Sequence, residues 1–297
     1  MSTLPAEEMQ SAAKFYREHG YAIIKGFVSG DDLMDMQREA ASVYAEGLTH
    51  HMTYYNSNLA FDILPEKHFG KRYVQHAYWF SWVNDWFAQH RRSERMRALL
   101  EPIIGCDVKQ LVEQLHWKPP GASKTGYRFH QDYRFRPNPE QYQDIVGNSV
   151  NVGIAIDPCR KENGCLRVFP DSHKLGYLGL ADDGDGTIMN GLSTDEELIR
   201  KGLDPNDMLY VELEPGDAVI WSLLTVHGSM PNMSDRDRAF AISSYVRASA
   251  SPNRGEWTFR DGQSIPLGAV PQPCKDGLNR PLGGVYEDSE WYLNDKA

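Results

Sequence analysis

From Val108 onward the chain is a succession of short apolar stretches broken by Gly, Pro, Asn and Asp. This spacing constrains the fold more than any other feature of the sequence. Strands are expected at 108–117, near 128–132, and at 149–157, 164–169, 208–213, 218–222, 224–229 and 238–247. Many short strands with such turns indicate a mainly β fold with flanking helices, its core a double-stranded β-helix of jelly-roll or cupin-like type. Within Glu214-Pro215-Gly216-Asp217, proline presets φ and glycine takes a positive φ, so a tight turn is expected there.

The flanking regions read differently. Residues 6–19 have helical composition, with Ala12, Phe15 and Tyr16 on one face and Gly20 as a left-handed stop. A strand is expected over 21–28, and Ser29-Gly30-Asp31-Asp32 caps a second helix running to about Ala45. Residues 48–105 read as mostly helical or irregular. The aromatic run from Tyr78 to Phe87 is either a helix buried on more than one side or, through Trp79, a wall of a substrate pocket. Between 175 and 207 lies an insertion rich in Gly and Asp with a helical piece at 194–201, a lid or a surface excursion. The expected organisation is a single domain over 1–297: a helical N-terminal buttress (1–105), the jelly-roll core (106–248) and an irregular tail (249–297).

Composition narrows the partners. A net charge of −10 argues against a nucleic-acid groove or an anionic membrane surface as the main partner, and does not identify a substrate, because the local field of a cleft can oppose the global charge. No apolar stretch is long enough for a membrane span, and Met-Ser-Thr-Leu-Pro-Ala-Glu-Glu has no signal-peptide character. Four cysteines without C-x-x-C spacing suit reduced thiols, so a cytoplasmic location is expected. Composition says nothing of the oligomeric state.

Chemistry concentrates in two stretches. In Tyr127-Arg128-Phe129-His130-Gln131-Asp132, strand alternation projects His130 and Asp132 together and Gln131 the other way. An imidazole and a carboxylate, joined by a second histidine, make the facial triad of a non-heme Fe(II) oxygenase. A His-x-Asp pair also arises by chance, so its partners decide. In the second stretch Thr225, His227 and Ser229 share one strand face. After a turn around Pro231-Asn232, Arg238, Phe240 and Ile242 share another. An antiparallel return sets Arg238 beside His227. That suits a metal-chelating oxo acid whose distal carboxylate meets a guanidinium and a hydroxyl. Arg236 has the same strand parity and competes for this role.

Several pieces, in order over residues 105–248, resemble one family. They are Lys118-Pro119-Pro120, His130-Gln131-Asp132, Glu162-Asn163-Gly164-Cys165-Leu166-Arg167-Val168-Phe169-Pro170 with Ser172-His173-Lys174, Pro215-Gly216-Asp217, and His227-Gly228-Ser229 with Arg238. The chain resembles the phytanoyl-CoA dioxygenase-like branch of Fe(II)/2-oxoglutarate oxygenases. The resemblance implies that His130, Asp132 and His227 hold Fe(II). It implies too that Arg238, 11 positions after the histidine, pairs with 2-oxoglutarate, assisted by Ser229. Gln131 falls in the family's cosubstrate-contact run, although alternation turns it from the metal face. Lys118 matches a recurring lysine whose role stays open.

Further site residues follow from the same strands. Asn151 shares a small, polar face with Ser149, Gly153 and Ala155, and is a candidate for cosubstrate or substrate contact, or a structural group. Family members often carry tryptophan where Gly153 falls, so a wider pocket or shifted cosubstrate contacts are expected. Arg134 and Arg136 either meet an anionic substrate group or form a solvated turn, and Tyr127, Tyr133, Trp79 and Trp221 are candidate substrate walls. The implied reaction uses O2 and 2-oxoglutarate to oxidise a small-molecule C–H bond, releasing succinate and CO2. Because related halogenases need the carboxylate replaced, Asp132 favours hydroxylation, or desaturation or cyclisation by the same chemistry. The rival readings are a cupin-like metalloenzyme that needs no oxo acid and a non-catalytic 2-oxoglutarate-binding protein.

Overall fold

The structure is a computed structural model that describes residues 5–120, 125–135, 144–182, 188–189, 191–268 and 283–287. Arg136 and much of the expected tail lie outside these residues. In chain order the first elements are α1 (Ala6–His19), β1 (Tyr21–Ile24), α2 (Asp31–Thr49), β2 (Thr53–Asn56), β3 (Leu59–Leu64), α3 (Glu66–Phe69), β4 (Tyr73–Tyr78), α4 (Asp85–His90) and α5 (Glu94–Ile104). There follow β5 (Val108–Lys118), β6 (Tyr127–His130), α6 (Ile145–Asn148), β7 (Ser149–Ala155), β8 (Leu166–Val168) and α7 (Asp195–Arg200). The last are β9 (Leu209–Val211), β10 (Ala218–Trp221), β11 (His227–Ser229), β12 (Arg238–Arg247), β13 (Glu256–Arg260), β14 (Gln263–Ser264) and β15 (Val285–Glu287).

The strands form two antiparallel sheets, as a jelly roll requires. The larger runs β1-β10-β7-β12-β5-β4-β3-β2-β15, with β13 and β14 attached beside β5; the smaller runs β6-β11-β8-β9. Each face of the large sheet has its own task, and β7 shows why. Val150, Val152 and Ile154 join the main core with α1, α2 and α5, whereas Ala155 packs on the other side with Trp221 and Phe240. Apolar residues therefore turn outward to the helices, and the small residues turn inward between the sheets, as the alternation predicts. Tyr16 of α1 anchors this packing: its buried hydroxyl donates to the Ser149 carbonyl at 2.9 Å.

Gly20 ends α1 with φ +79°. Its absent side chain is needed twice over, because a Cβ there would collide with the His173 ring and lie 2.6 Å from Thr225 Oγ1. The Thr225 hydroxyl in turn donates to the Gly20 carbonyl at 2.6 Å, fixing the segment that leads into His227. The expected turn at 214–217 also forms, with Gly216 at φ +85°.

The N-terminal third departs from expectation. β2, β3 and β4 lie within the supposedly helical or irregular 48–105 and extend the large sheet. Every residue of β3 and β4 is buried, so neither strand shows the polar alternation that marks a half-exposed strand. The aromatic run is not one helix. Trp79 adopts a left-handed conformation (φ +51°) that ends β4, a 3-10 turn spans Phe80–Trp82, and Asn84 caps the short α4. The tail is not wholly irregular either, since β13 pairs with β5 and β15 with β2.

The packing of α2 on this added sheet is tight. A Cβ at Gly47 would sit 2.7 Å from Val74 Cγ2 and 2.9 Å from Phe61 Cδ1. Gly47→Ala gains about 1 kcal/mol of helix propensity but costs about 1–3 kcal/mol of overpacking. A net loss is expected, read as a melting temperature lower by about 2–4 °C in a thermal scan.

Candidate active site

Two of the candidate metal ligands are set by one cross-strand pair. β11 and β6 place His227 opposite His130, so both imidazoles project into the space between the sheets. Their ring centres are 4.3 Å apart. The strand stops at His130, and Asp132 opens a 3-10 turn instead of continuing the alternation. Its carboxylate still returns to the histidines, with Oδ1 3.3 Å from His130 Nε2 and Oδ2 3.4 Å from His227 Nε2.

The tautomers follow from the hydrogen bonds. His130 Nδ1 donates to the Arg128 carbonyl at 2.8 Å, and His227 Nδ1 to the Thr225 carbonyl at 2.9 Å. A carbonyl only accepts, so both protons sit on Nδ1 and both Nε2 lone pairs face Asp132. Burial pushes the His227 imidazole down to about 4, against the pull of Asp132 and with the help of His130, so it is neutral near pH 7. One ligand atom from each of the three residues lies within 4.8 Å of the others. Two neutral imidazoles and one carboxylate fit a divalent first-row metal such as Fe(II).

Asn151 holds the carboxylate. Its Nδ2 donates to Asp132 Oδ2 at 2.7 Å, so this candidate cosubstrate contact orients the triad's carboxylate. Gln131 is also corrected. It is fully buried, donates to the carbonyls of Gly176 and Leu224 and accepts from Leu178 N, each at 2.7 Å. It staples the start of the 175–207 insertion to the core and faces away from the metal.

Beside the triad lie two buried cations. The register sets Arg238 directly across from Lys118, and both are nearly inaccessible to solvent. Lys118 Nζ reaches the opposite sheet and donates to Ser229 Oγ (2.6 Å) and the Met230 carbonyl (2.5 Å). Burial, then Arg238 and Arg167, pull its ammonium well below the ordinary lysine range. Arg238 Nε has no hydrogen-bond partner among the described residues. Asp157 bears on Arg238 electrostatically, but its Oδ2 accepts from the Ala239 amide at 2.8 Å. Arg236, the competing arginine, is 90% exposed and points to solvent beside Asp235.

The space above Gly153 is not open. A Cβ there would meet Phe240 Cζ at 2.5 Å and Trp221 Cζ3 at 3.0 Å, so these two rings fill the volume and the expected widening does not occur. Partly exposed inner residues include Val112, Gln114 and His116 on β5 and Ile242 on β12. They form a partly exposed floor on the inner face of the large sheet. The His116-x-Lys118 alternation is the only sequence signal for any of this floor.

Of the expected substrate residues, Trp79 is fully buried against Ala60 and Tyr78. It carries no accessible surface and is not a pocket wall. Arg134 lies 3.4 Å from the Asp182 carboxylate and 3.5 Å from the Leu180 carbonyl, so it ties down the 175–182 segment. Phe135 beside it is exposed, its ring centre 6.4 Å from that of His130, and so stands at the mouth. Tyr133 packs against Tyr177 in a tilted arrangement, with ring centres 5.4 Å apart.

Comparison with known proteins settles the family. The family model described as phytanoyl-CoA dioxygenase (PhyH) matches residues 16–240. The chain belongs to the phytanoyl-CoA dioxygenase family. Among its relatives in this family is the peroxisomal phytanoyl-CoA dioxygenase of Mus musculus, 27% identical over 250 residues (80% of this chain, 67% of the relative). A methylphosphonate hydroxylase of Gimesia maris is 30% identical over 145 residues (49% and 48%). A probable alpha-ketoglutarate-dependent hypophosphite dioxygenase of Stutzerimonas stutzeri is 26% identical over 174 residues (59% and 57%). The chain spans about half the length of the first curated relatives it matches. Among solved structures, EctD from S. alaskensis with bound Fe superposes with a TM-score of 0.60 at 18% identity, covering 88% of this chain and 87% of EctD. The carbocyclase SnoK from nogalamycin biosynthesis gives 0.59 at 18%, covering 88% and 90%. At these identities the likeness is one of fold.

If Asn151 orients the metal-binding carboxylate of this family member, Asn151→Ala weakens metal binding by about 10- to 100-fold while His130→Ala abolishes it. Calorimetric titration with Mn(II) measures both. Equal Mn(II) affinity in Asn151→Ala and the unaltered protein rejects the orienting role.

Proposed function

We propose that the chain is an Fe(II)- and 2-oxoglutarate-dependent dioxygenase that hydroxylates a C–H bond of a small molecule. The observation that carries this reading is the juxtaposition of a two-histidine, one-carboxylate triad with a buried guanidinium, Arg238, that among the described residues forms no ion pair. Uncompensated buried charge is costly, so its retention beside a metal site calls for an anionic ligand. An oxo acid satisfies both halves: one end on the metal, the distal carboxylate on Arg238.

The residues divide the work. His130, Asp132 and His227 hold Fe(II) and, as only three ligands, leave positions for the cosubstrate and O2. Arg238 binds the carboxylate, and Ser229, whose oxygen already accepts from Lys118, keeps its hydroxyl proton for the same anion. Lys118 fixes Ser229 by donating to its oxygen. Phe240 and Trp221 exclude water from this compartment, while Gln114, His116 and Ile242 floor the substrate channel. The bound metal and oxo acid supply O2 activation, with 2-oxoglutarate oxidised to succinate and CO2. No helix among the described residues is long and apolar enough to cross a membrane. Cys106, Cys159 and Cys165 are free thiols, which supports a reducing compartment such as the cytoplasm.

Anaerobic addition of Fe(II) and then 2-oxoglutarate to the purified protein is expected to produce a visible metal-to-ligand charge-transfer band. His130→Ala loses the band, and Arg238→Ala raises the 2-oxoglutarate concentration needed for it by about 100-fold. Iron binding without any band rejects the cosubstrate and favours a metalloenzyme that needs no oxo acid. A band without succinate release, whatever small molecule is supplied, favours a non-catalytic binding protein.

A further inference from the structure

Tyr127 stands three residues before His130, and in a regular strand it would point to the opposite face. It does not, because the pairing of β6 with β11 is irregular. His227 faces His130, yet Ser229 faces Tyr127, so one extra residue of β6 is accommodated. A bulge of this kind re-aims a side chain beside a site. Arg128 and Phe129 take the outward positions, on Glu197 and in the cluster around Phe169. Tyr127 turns inward with His130.

Once inside, the tyrosine crosses from the small sheet to the large one. Its hydroxyl lies 2.5 Å from His76 Nε2 on β4, and His76 Nδ1 lies 3.0 Å from Asp62 Oδ2 on β3. A carboxylate accepts, so a neutral His76 carries its proton on Nδ1, and the Tyr127 hydroxyl must donate to Nε2. Tyr78 also hydrogen-bonds Asp62. The ring therefore has a fixed direction. Lys118 Nζ lies 5.3 Å from its centre, and His116 Nδ1 lies 3.5 Å from its oxygen. Tyr127 thus stands beside both Lys118 Nζ and the partly exposed His116.

We propose that Tyr127, clamped by His76 and Asp62, is a rigid wall of the oxo-acid compartment and makes it select a five-carbon over a six-carbon 2-oxo diacid. The proposal rests on the oxygenase reading above. An unclamped tyrosine could change rotamer to admit an extra methylene at little cost. Here the same movement strands the acceptor on His76 in a buried setting, which penalises the longer acid. His76 and Asp62 are positioning residues that act through Tyr127.

The test compares affinities for 2-oxoglutarate and 2-oxoadipate by calorimetry on the Mn(II)-loaded protein under argon, where no turnover occurs. The unaltered protein is expected to prefer 2-oxoglutarate by about tenfold or more. Tyr127→Ala and His76→Leu bring the two affinities to within about threefold of each other. His76→Gln, which keeps an acceptor near the Nε2 position, retains the preference. If Tyr127→Ala does not fold, Tyr127→Phe keeps the ring but frees it from the clamp, and is expected to narrow the preference. A merely structural role lowers both affinities together and leaves their ratio unchanged; that result overturns the proposal, as does an unaltered protein that binds both acids equally. An unaltered protein that binds metal but neither acid overturns the oxygenase reading and the wall with it.

Discussion

Two imidazoles paired across β6 and β11, each with its Nδ1 proton given to a carbonyl two residues upstream, set the geometry around which the interior is arranged. The local bond fixes the tautomer and the cross-strand register fixes the separation. Neither depends on a long or mobile side chain. Asp132 needs more help, because it leaves the strand, and Asn151 from the facing sheet supplies it. The metal site is therefore built from both walls of the jelly roll, and the helices that brace the large sheet bear on it indirectly.

The same register explains the second half of the interior. Arg238 and Lys118 face one another because β12 and β5 pair over their whole length. Two like charges so placed in a buried setting oppose each other, and the fold tolerates the repulsion by giving Lys118 a hydroxyl and a carbonyl to donate to. Under the proposed oxygenase function this compartment receives the anionic end of the oxo acid. Its apolar side is closed by Phe240 and Trp221, whose rings occupy the volume left by Gly153.

Much of the candidate site was legible in the sequence because its chemistry travels in short, local motifs. His130 with Asp132, and His227 with Ser229 and Arg238, are close in sequence, and all but Asp132, which opens a turn, lie on strands whose parity can be counted. The illegible residues fail for identifiable reasons. Gln131 sits between two ligands, but its own hydrogen bonds run to Gly176, Leu178 and Leu224, contacts made by a distant loop. Trp79 looked available in an aromatic run, yet strands that no alternation betrays bury it. Asp62, His76 and His116 carry no motif, since their association comes from the pairing of β3, β4 and β5.

The sequence by itself determined the mainly β architecture and singled out His130, Asp132 and His227 as candidate metal ligands with two competing arginines, because strand period and turn chemistry are local properties of the chain. Tertiary structure decided which arginine is buried, which polar residues serve the site and which serve the scaffold, and where the pocket is walled. Those outcomes depend on what lies across a sheet or between sheets. A side chain's direction can be counted along one strand, but its partner is fixed only when another strand, distant in sequence, is brought into register beside it.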